Sequence, residues 1–215
     1  MTHRPAGPWD ISELPDPDPA EERVDLGGLL VPVSGVVEVR VDLVGEVPVA
    51  ATVILGGSSV QLQAFAAPED GGWEDIRGRI VRGIVDQGGT AEESPGTFGP
   101  EVRARMYEEA HDGAGSWQEI RFAGVDGPGW VLRGVFYGLI ARRPGRLAGP
   151  LAETFRRTVV VLPGYPMEPD EAIPLRLPDV ATAEPAEDPD SERPFPRPRT
   201  RPRLPPRFRV RRPRA

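Results

Sequence analysis

The chain of 215 residues contains no cysteine, no lysine and no asparagine. Without cysteine it has no disulfide bond, no thiolate metal ligand and no thiol nucleophile. No apolar run approaches the roughly 18 residues that a membrane-spanning helix needs. The first 20 residues are proline-rich and acidic, unlike a secretory signal peptide with its apolar centre. These absences favour a cytoplasmic protein with no membrane partner.

Side chains that could support catalysis are equally scarce. The two histidines, His3 and His111, are too few for a transition-metal site in a chain without cysteine. The glycine-rich segments match neither a dinucleotide fingerprint nor a P-loop, and no nucleophile elbow is present. The paired acids Glu92–Glu93 and Glu108–Glu109 lie beside predicted turns, which favours a solvated surface over acid–base chemistry. We expect no catalytic residues, no metal ion and no cofactor.

The clearest local pattern lies in residues 60–87, where the apolar period changes. Up to Ala66 apolar side chains alternate with glutamines, which predicts a half-buried strand. From Trp73 onward they recur at intervals of three and four residues, which predicts an amphipathic helix. Gly78 and Gly83 lie inside this helix, and we interpret them as points of close packing against a sheet.

Short alternating runs joined by glycine turns occupy most of the middle of the chain, both before and after this helix. Leu147, Leu151, Phe155 and Val159 then recur at every fourth residue and predict a second helix. The sequence therefore predicts an α+β fold. It comprises a mainly antiparallel, twisted sheet of roughly six to eight strands with two packed helices, similar by analogy to the Mog1/PsbP-like sandwich.

Composition divides the chain into four segments. Residues 1–22 form an acidic, proline-rich arm that we expect to be disordered, and residues 23–178 form a single α+β domain. Residues 179–192 carry six acids and no base, which is typical of a linker, whereas residues 193–215 carry ten arginines and no acid. The net charge of −7 thus conceals an acidic body with a basic tail.

The basic tail is the segment that points most directly to a function. Its arginines can neutralise phosphates, and its phenylalanines can stack on unpaired bases. The alternatives are contact with an unknown protein partner or another acidic surface, such as the linker, and no specific role. The residues predicted to contact RNA, DNA or a partner are Arg193, Phe195, Arg197, Arg199, Arg201, Arg203, Arg207, Phe208, Arg209, Arg211, Arg212 and Arg214.

Arginines also recur on neighbouring predicted strands. If the polar faces of these strands coincide, four side chains make a basic patch: Arg103, Arg105, Arg121 and Arg133. The sequence favours the alternative that these arginines form ordinary cross-strand salt bridges with the acids of the same strands, namely Glu101, Glu108 and Glu119.

Several segments together resemble one protein family. They include R-V-D-L-G-G-L-L-V-P at 23–32, V-Q-L-Q-A-F-A-A-P at 60–68, R-F-A-G-V-D-G-P-G-W-V-L-R-G-V at 121–135 and I-P-L-R-L-P at 173–178. Over residues 23–178 the chain resembles the actinobacterial domain-of-unknown-function 3710 family. The resemblance implies a shared fold and an actinobacterial, cytosolic source. It implies no activity and no catalytic residues.

The sequence alone favours a non-enzymatic binding or scaffold module, because the inventory of catalytic groups is empty. The alternative is a nucleic-acid- or ribosome-associated protein that acts through the arginine-rich tail at residues 193–215. An enzyme of unknown class is the least favoured of the three interpretations.

Overall fold

The structure is a computed structural model of the full chain. It describes residues 7–14, 22–33, 37–68, 71–109, 115–143 and 145–178. The predicted linker and the predicted basic tail lie outside the described residues, as do His3 and His111. The statements below concern the described residues.

The described residues form eleven strands, three α-helices and one short 3-10 helix. The strands are β1 (Trp9–Asp10), β2 (Arg23–Asp25), β3 (Leu29–Pro32), β4 (Glu38–Val44), β5 (Val47–Leu55), β6 (Ser58–Ala66), β7 (Thr90–Gly96), β8 (Gly99–Glu109), β9 (Gly115–Gly127), β10 (Trp130–Gly138) and β11 (Val159–Val160). The helices are the 3-10 helix (Ile11–Glu13), α1 (Trp73–Asp86), α2 (Leu139–Arg142) and α3 (Pro150–Arg157). None of these helices is both long and apolar enough to cross a membrane.

The strands build two sheets. Seven of them form an antiparallel main sheet in the order β4-β5-β6-β10-β9-β8-β7. The other four form a smaller second sheet in the order β1-β11-β3-β2, in which β1 and β11 run parallel. The predicted antiparallel sheet with packed helices is confirmed by the main sheet. The second sheet and helix α2 are additions that the sequence patterns did not predict.

Helix α1 packs on one face of the main sheet, named here the α1 face, where it covers β7, β8 and β9. At its N-terminus Asp126 Oδ1 accepts hydrogen bonds from the backbone N–H groups of Gly72 at 2.7 Å and Trp73 at 2.8 Å. A carboxylate here satisfies free donors and complements the helix dipole. The Trp73 ring lies on Gly124, where a Cβ would stand 2.2 Å from it. Packing therefore accounts for Trp73.

The other face of the main sheet, named here the opposite face, has two parts. The second sheet and α3 cover the part formed by β5, β6 and β10. The core between them includes Leu29, Val31, Val53, Val60, Leu62, Trp130, Leu132, Phe136, Phe155 and Val160. Over β7, β8 and β9 the same face carries charged side chains and is only partly covered. The candidate site lies in this second part.

Residues near the start of the chain belong to the folded domain. Strand β1 pairs with β11, and Asp10 is buried with its Oδ2 accepting a 2.8 Å hydrogen bond from Trp130 Nε1. The expectation of a disordered arm over 1–22 is therefore wrong for residues 7–14. The segment is held by backbone pairing and by one buried carboxylate–indole hydrogen bond. The low apolar content of the segment predicts neither interaction.

Two further expectations are corrected. The second predicted helix ends at Arg157, and the apolar residues after it form β11 in the second sheet. Val159 is buried in that strand, so a position that fits the helical period is explained by strand pairing instead. Gly78 and Gly83 do not mark close packing, because a Cβ at Gly83 would meet no atom within 4 Å and one at Gly78 only the end of Arg82, at 3.5 Å.

Candidate functional site

A pocket of about 410 Å³ opens on the uncovered part of the opposite face. Strands β7, β8 and β9 form its floor, and α2 contributes one wall. It is named here the arginine pocket, because four arginines line it. The charged lining residues are Glu92, Arg103, Arg105, Glu119, Arg121 and Arg142.

A buried ion pair joins Arg121 of β9 to Glu101 of β8 at the floor of the pocket. Arg121 Nη2 lies 2.6 Å from Glu101 Oε1, and the side chains are 1% and 2% exposed. Within the described part of the chain, Arg121 Nε and Glu101 Oε2 have no hydrogen-bond partner. Burial lowers the pKa of the Arg121 guanidinium, and the nearby Glu101 carboxylate opposes that shift. The pair is thus desolvated, with one donor and one acceptor unused.

A second guanidinium shares the same carboxylate. Arg103 Nε lies 3.2 Å from Glu101 Oε1, and the Arg103 side chain is 32% exposed. Two cations and one anion leave a formal charge of +1 at the floor of the pocket. Arg105 and Arg142 add two exposed guanidinium groups, and neither forms an ion pair with a described residue. With Glu92 and Glu119 included, four arginines and three carboxylates give the site a formal charge of +1 (4 − 3), in a chain whose net charge is −7.

The segment that follows α2 is fastened across the strands by the arginines of the floor. Arg103 Nη2 donates to the backbone oxygen of Gly145 at 2.9 Å, and Arg121 Nη1 donates to that of Arg143 at 3.3 Å. These bonds fix the orientation of both guanidinium groups before any ligand arrives. A fixed orientation reduces the conformational entropy that binding would otherwise cost.

Three of the four arginines proposed for a basic patch do share a face. Arg103 lies directly opposite Arg121 in the pairing of β8 with β9, and Arg105 follows on the same side. Arg133 lies on the α1 face instead. Arg121 pairs with Phe136 of β10, and Arg133 is an odd number of positions away from that partner. A basic patch therefore exists, but it contains three of the four predicted arginines.

The favoured alternative, ordinary cross-strand salt bridging, is correct only for Glu101. That carboxylate pairs with two arginines, but in a buried position rather than on a solvated surface. Glu119 lies opposite Arg105, and the described residues include no ion pair between them. Glu108 alternates with Tyr107 along β8, so it lies on the α1 face, away from the arginine pocket.

The α1 face holds a second arginine with little access to solvent. Arg133 Nη2 donates to Gln63 Oε1 at 2.6 Å, and the guanidinium carbon lies 5.1 Å from the centroid of the Phe65 ring. Burial lowers the pKa of Arg133 and raises the pKa of nearby Tyr137 to about 12. Arg133 does not line the arginine pocket. Its contacts are a neutral amide and an aromatic ring.

Arg142 forms part of the pocket wall and was not predicted from the sequence. Its signal is the run R-R-P-G-R at 142–146, with three arginines directly after the apolar segment 130–141. The paired acids Glu92–Glu93 are exposed, as predicted. They point to different faces, because Glu92 lines the pocket whereas Glu93 Oε2 accepts a 2.6 Å hydrogen bond from Arg77 Nε of α1.

Comparison with known proteins gives one family match, over residues 7–184. No curated protein and no solved structure matches the chain. The matched region begins before β1 and includes both sheets and the arginine pocket, so it extends beyond the segments 23–178 that carry the resemblance in the sequence. The match spans most of the chain, which therefore belongs to the family described as "Protein of unknown function (DUF3710)".

Proposed function

We propose that the protein is a non-enzymatic, cytoplasmic binding module whose arginine pocket holds a small anion, a phosphate or a carboxylate. Planar guanidinium groups match the geometry of both anions and bind them through two parallel hydrogen bonds. A volume of about 410 Å³ lies within the range of small-molecule sites. A location in the cytoplasm is supported by the absence of cysteine.

The observation that carries the proposal is the state of Arg121. This side chain is 1% exposed and lines the pocket, yet its Nε has no partner among the described residues. Its one carboxylate partner is shared with Arg103. The four arginines of the pocket face three carboxylates, Glu92, Glu101 and Glu119, so the site has a formal charge of +1 (4 − 3). An anion in the pocket would balance that charge.

A binding role, rather than a catalytic one, is supported by the chemistry of the lining. Four of its six charged residues are arginines, which stay protonated at any physiological pH. Such groups hold anions well and exchange protons poorly. Among the residues that the structure describes, the pocket lining contains no imidazole and no thiol.

The test is calorimetric titration of the full-length protein with phosphate and with a small dicarboxylate. Arg103→Gln and Arg142→Gln should each weaken binding about tenfold or more, since each removes a charge-assisted hydrogen bond. The Arg142 side chain is exposed, so the fold should tolerate its replacement. Arg103→Gln also removes bonds to Glu101 and Gly145, so urea unfolding of that variant is measured alongside. Arg82→Gln, at an exposed position of α1, is the matched control and should leave the affinity unchanged. No binding of either anion, or an equal loss in the control, would refute the proposal.

A second candidate function is nucleic-acid or ribosome association through residues 193–215. The observation in its favour is ten arginines without an acid in that segment. If most of them contact phosphates, affinity should fall by roughly 10³ to 10⁵ between 50 and 200 mM salt. Retention of RNA and DNA by the full chain should be compared, across that salt series, with a chain ending at Glu192. Equal retention of nucleic acid by both proteins would show that residues 193–215 do not bind it.

A further inference from the structure

Two exposed aromatic rings lie beside the arginine pocket. Tyr107 of β8 and Trp117 of β9 are direct partners in the pairing of these strands, and they are 56% and 46% exposed. Their ring centroids are 5.6 Å apart, with an edge-to-face angle of 67°. Both point to the same face as Arg103 and Arg121, because side chains two positions apart on a strand share a face. Large exposed rings next to a cationic pocket are well placed to bind a ligand.

Neighbouring groups hold this aromatic pair in position. The Tyr107 ring lies across Gly115, where a Cβ would stand 2.1 Å from the phenol oxygen. The other member of the pair, Trp117, contacts Arg105, whose guanidinium carbon lies 5.6 Å from the centroid of the Trp117 ring. Arg105 also lines the arginine pocket. One side chain therefore connects the cationic pocket to the aromatic rings.

The spacing of the two features is set by the strands. Along β8 and β9 the Tyr107–Trp117 pair is two positions from Arg105 and four from the Arg103–Arg121 pair. Two strand positions correspond to about 7 Å. A planar ring on the aromatic pair would thus lie about 7 Å from Arg105 along the strand. An anionic group attached to that ring would reach Arg105 and Arg103.

We propose that the anion bound in the arginine pocket is the phosphate of a nucleotide, whose base packs on the Tyr107–Trp117 pair. This inference rests on the proposed function, because it specifies the ligand of the same pocket. Arg103 and Arg105 contact the phosphate, and the aromatic pair contacts the base. Base stacking on aromatic side chains tolerates different bases, so the site distinguishes nucleotides from simple phosphates rather than one base from another.

The decisive experiment compares two ligands that share a phosphate and a sugar. The full-length protein is titrated with adenosine 5′-monophosphate and with ribose 5-phosphate at the same salt concentration. The nucleotide should bind about tenfold tighter or more, since stacking contributes that much. Trp117→Ala should abolish this advantage, so that the two ligands bind the variant with similar affinities. Trp117→Phe should restore much of the advantage, because a flat ring returns.

The controls separate this inference from the proposed function. Tyr165→Ala removes an aromatic side chain that is 58% exposed elsewhere and should change neither affinity. Equal affinities for the two ligands, or an unchanged ratio in Trp117→Ala, would overturn the nucleotide assignment while leaving anion binding intact. Binding of neither ligand would overturn both. A 5′-phosphorylated single-stranded tetranucleotide, tested with the same variants, shows whether the nucleotide is free or part of a strand.

Discussion

Each face of the main sheet holds an arginine with limited access to solvent, Arg121 buried and Arg133 half-buried, and the two are held in different ways. On the opposite face Arg121 pairs with the carboxylate of Glu101, beside an open pocket. On the α1 face Arg133 has a neutral amide and an aromatic ring as its contacts. Burial lowers the pKa of both guanidinium groups, and each has an Nε without a partner among the described residues.

The difference shows that burial of a cation does not by itself indicate a site. The environment of Arg133 is explained by packing, since Phe65 attracts the cation and Gln63 accepts its hydrogen bond. The environment of Arg121 adds a cavity, a second guanidinium on the same carboxylate and an excess of positive charge. These contacts explain Arg133 by stability alone, and we propose binding only for the open part of the opposite face.

The largest expected effect comes from removing the acceptor of each arginine. Glu101→Ala leaves Arg121 as an unpaired buried charge and should lower the free energy of unfolding by about 3 to 5 kcal/mol. Gln63→Ala removes one hydrogen bond to a charged group and should cost about 1.5 to 3 kcal/mol. Urea unfolding of the two variants measures both values.

Added phosphate sharpens this comparison. It should raise the stability of the Glu101→Ala variant, because an anion in the pocket replaces the lost carboxylate and stabilises the folded state by mass action. For Gln63→Ala, phosphate should raise the free energy of unfolding only as much as it does for the unmodified protein. An equal response of the two variants to phosphate would contradict the assignment of binding to one face.

A smaller effect concerns pH on the α1 face. The pKa of Tyr137 is raised to about 12 in the folded protein by burial, from an ordinary value of 10.0. Above pH 10 the unfolded chain loses this proton while the folded protein keeps it, so stability falls as the pH rises toward 12. The loss should amount to about 2 to 3 kcal/mol. In Tyr137→Phe this part of the decline should be missing when the free energy of unfolding is measured between about pH 9 and pH 12. An equally steep decline in both proteins would refute the prediction.

The smallest effect is a gain. Gly83→Ala in α1 should raise the free energy of unfolding by about 1 kcal/mol, because alanine favours the helix and its Cβ would enter open space. Anion affinity should stay the same, since α1 lies on the other side of the sheet. The matched change Gly124→Ala should destabilise the protein, because its Cβ would collide with the Trp73 ring. A stabilising Gly124→Ala would show that this contact can relax.

Much of the fold follows from patterns that are local in sequence. The alternation before Ala66 and the helical spacing after Trp73 predict β6 and α1, and both are observed. The second sheet is harder to predict, because β1 and β11 have only two residues each. Val159 illustrates the difficulty: it fits a helical period and a buried strand equally well.

The site was only partly predictable for a similar reason. Alternation along β8 and β9 placed Arg103, Arg105 and Arg121 on polar faces that could coincide, and they do. Arg133 lies outside this patch because of the register between β10 and β9. That register cannot be predicted from the pattern of either strand alone. The segment after α2, whose backbone oxygens accept hydrogen bonds from Arg103 and Arg121, reaches these strands only in the folded protein.

The pairing of β1 with β11 has a consequence for the order of folding. Trp9 and Asp10 lie beside Val159 and Val160, so the first strand of the domain needs the last one as its partner. During synthesis the main sheet can form once β10 has been made and pairs with β6, whereas β1 must wait until Val160 has been made. The indole nitrogen of Trp130 stays without Asp10 during that interval. The beginning of the chain is therefore among the last parts of the domain to fold.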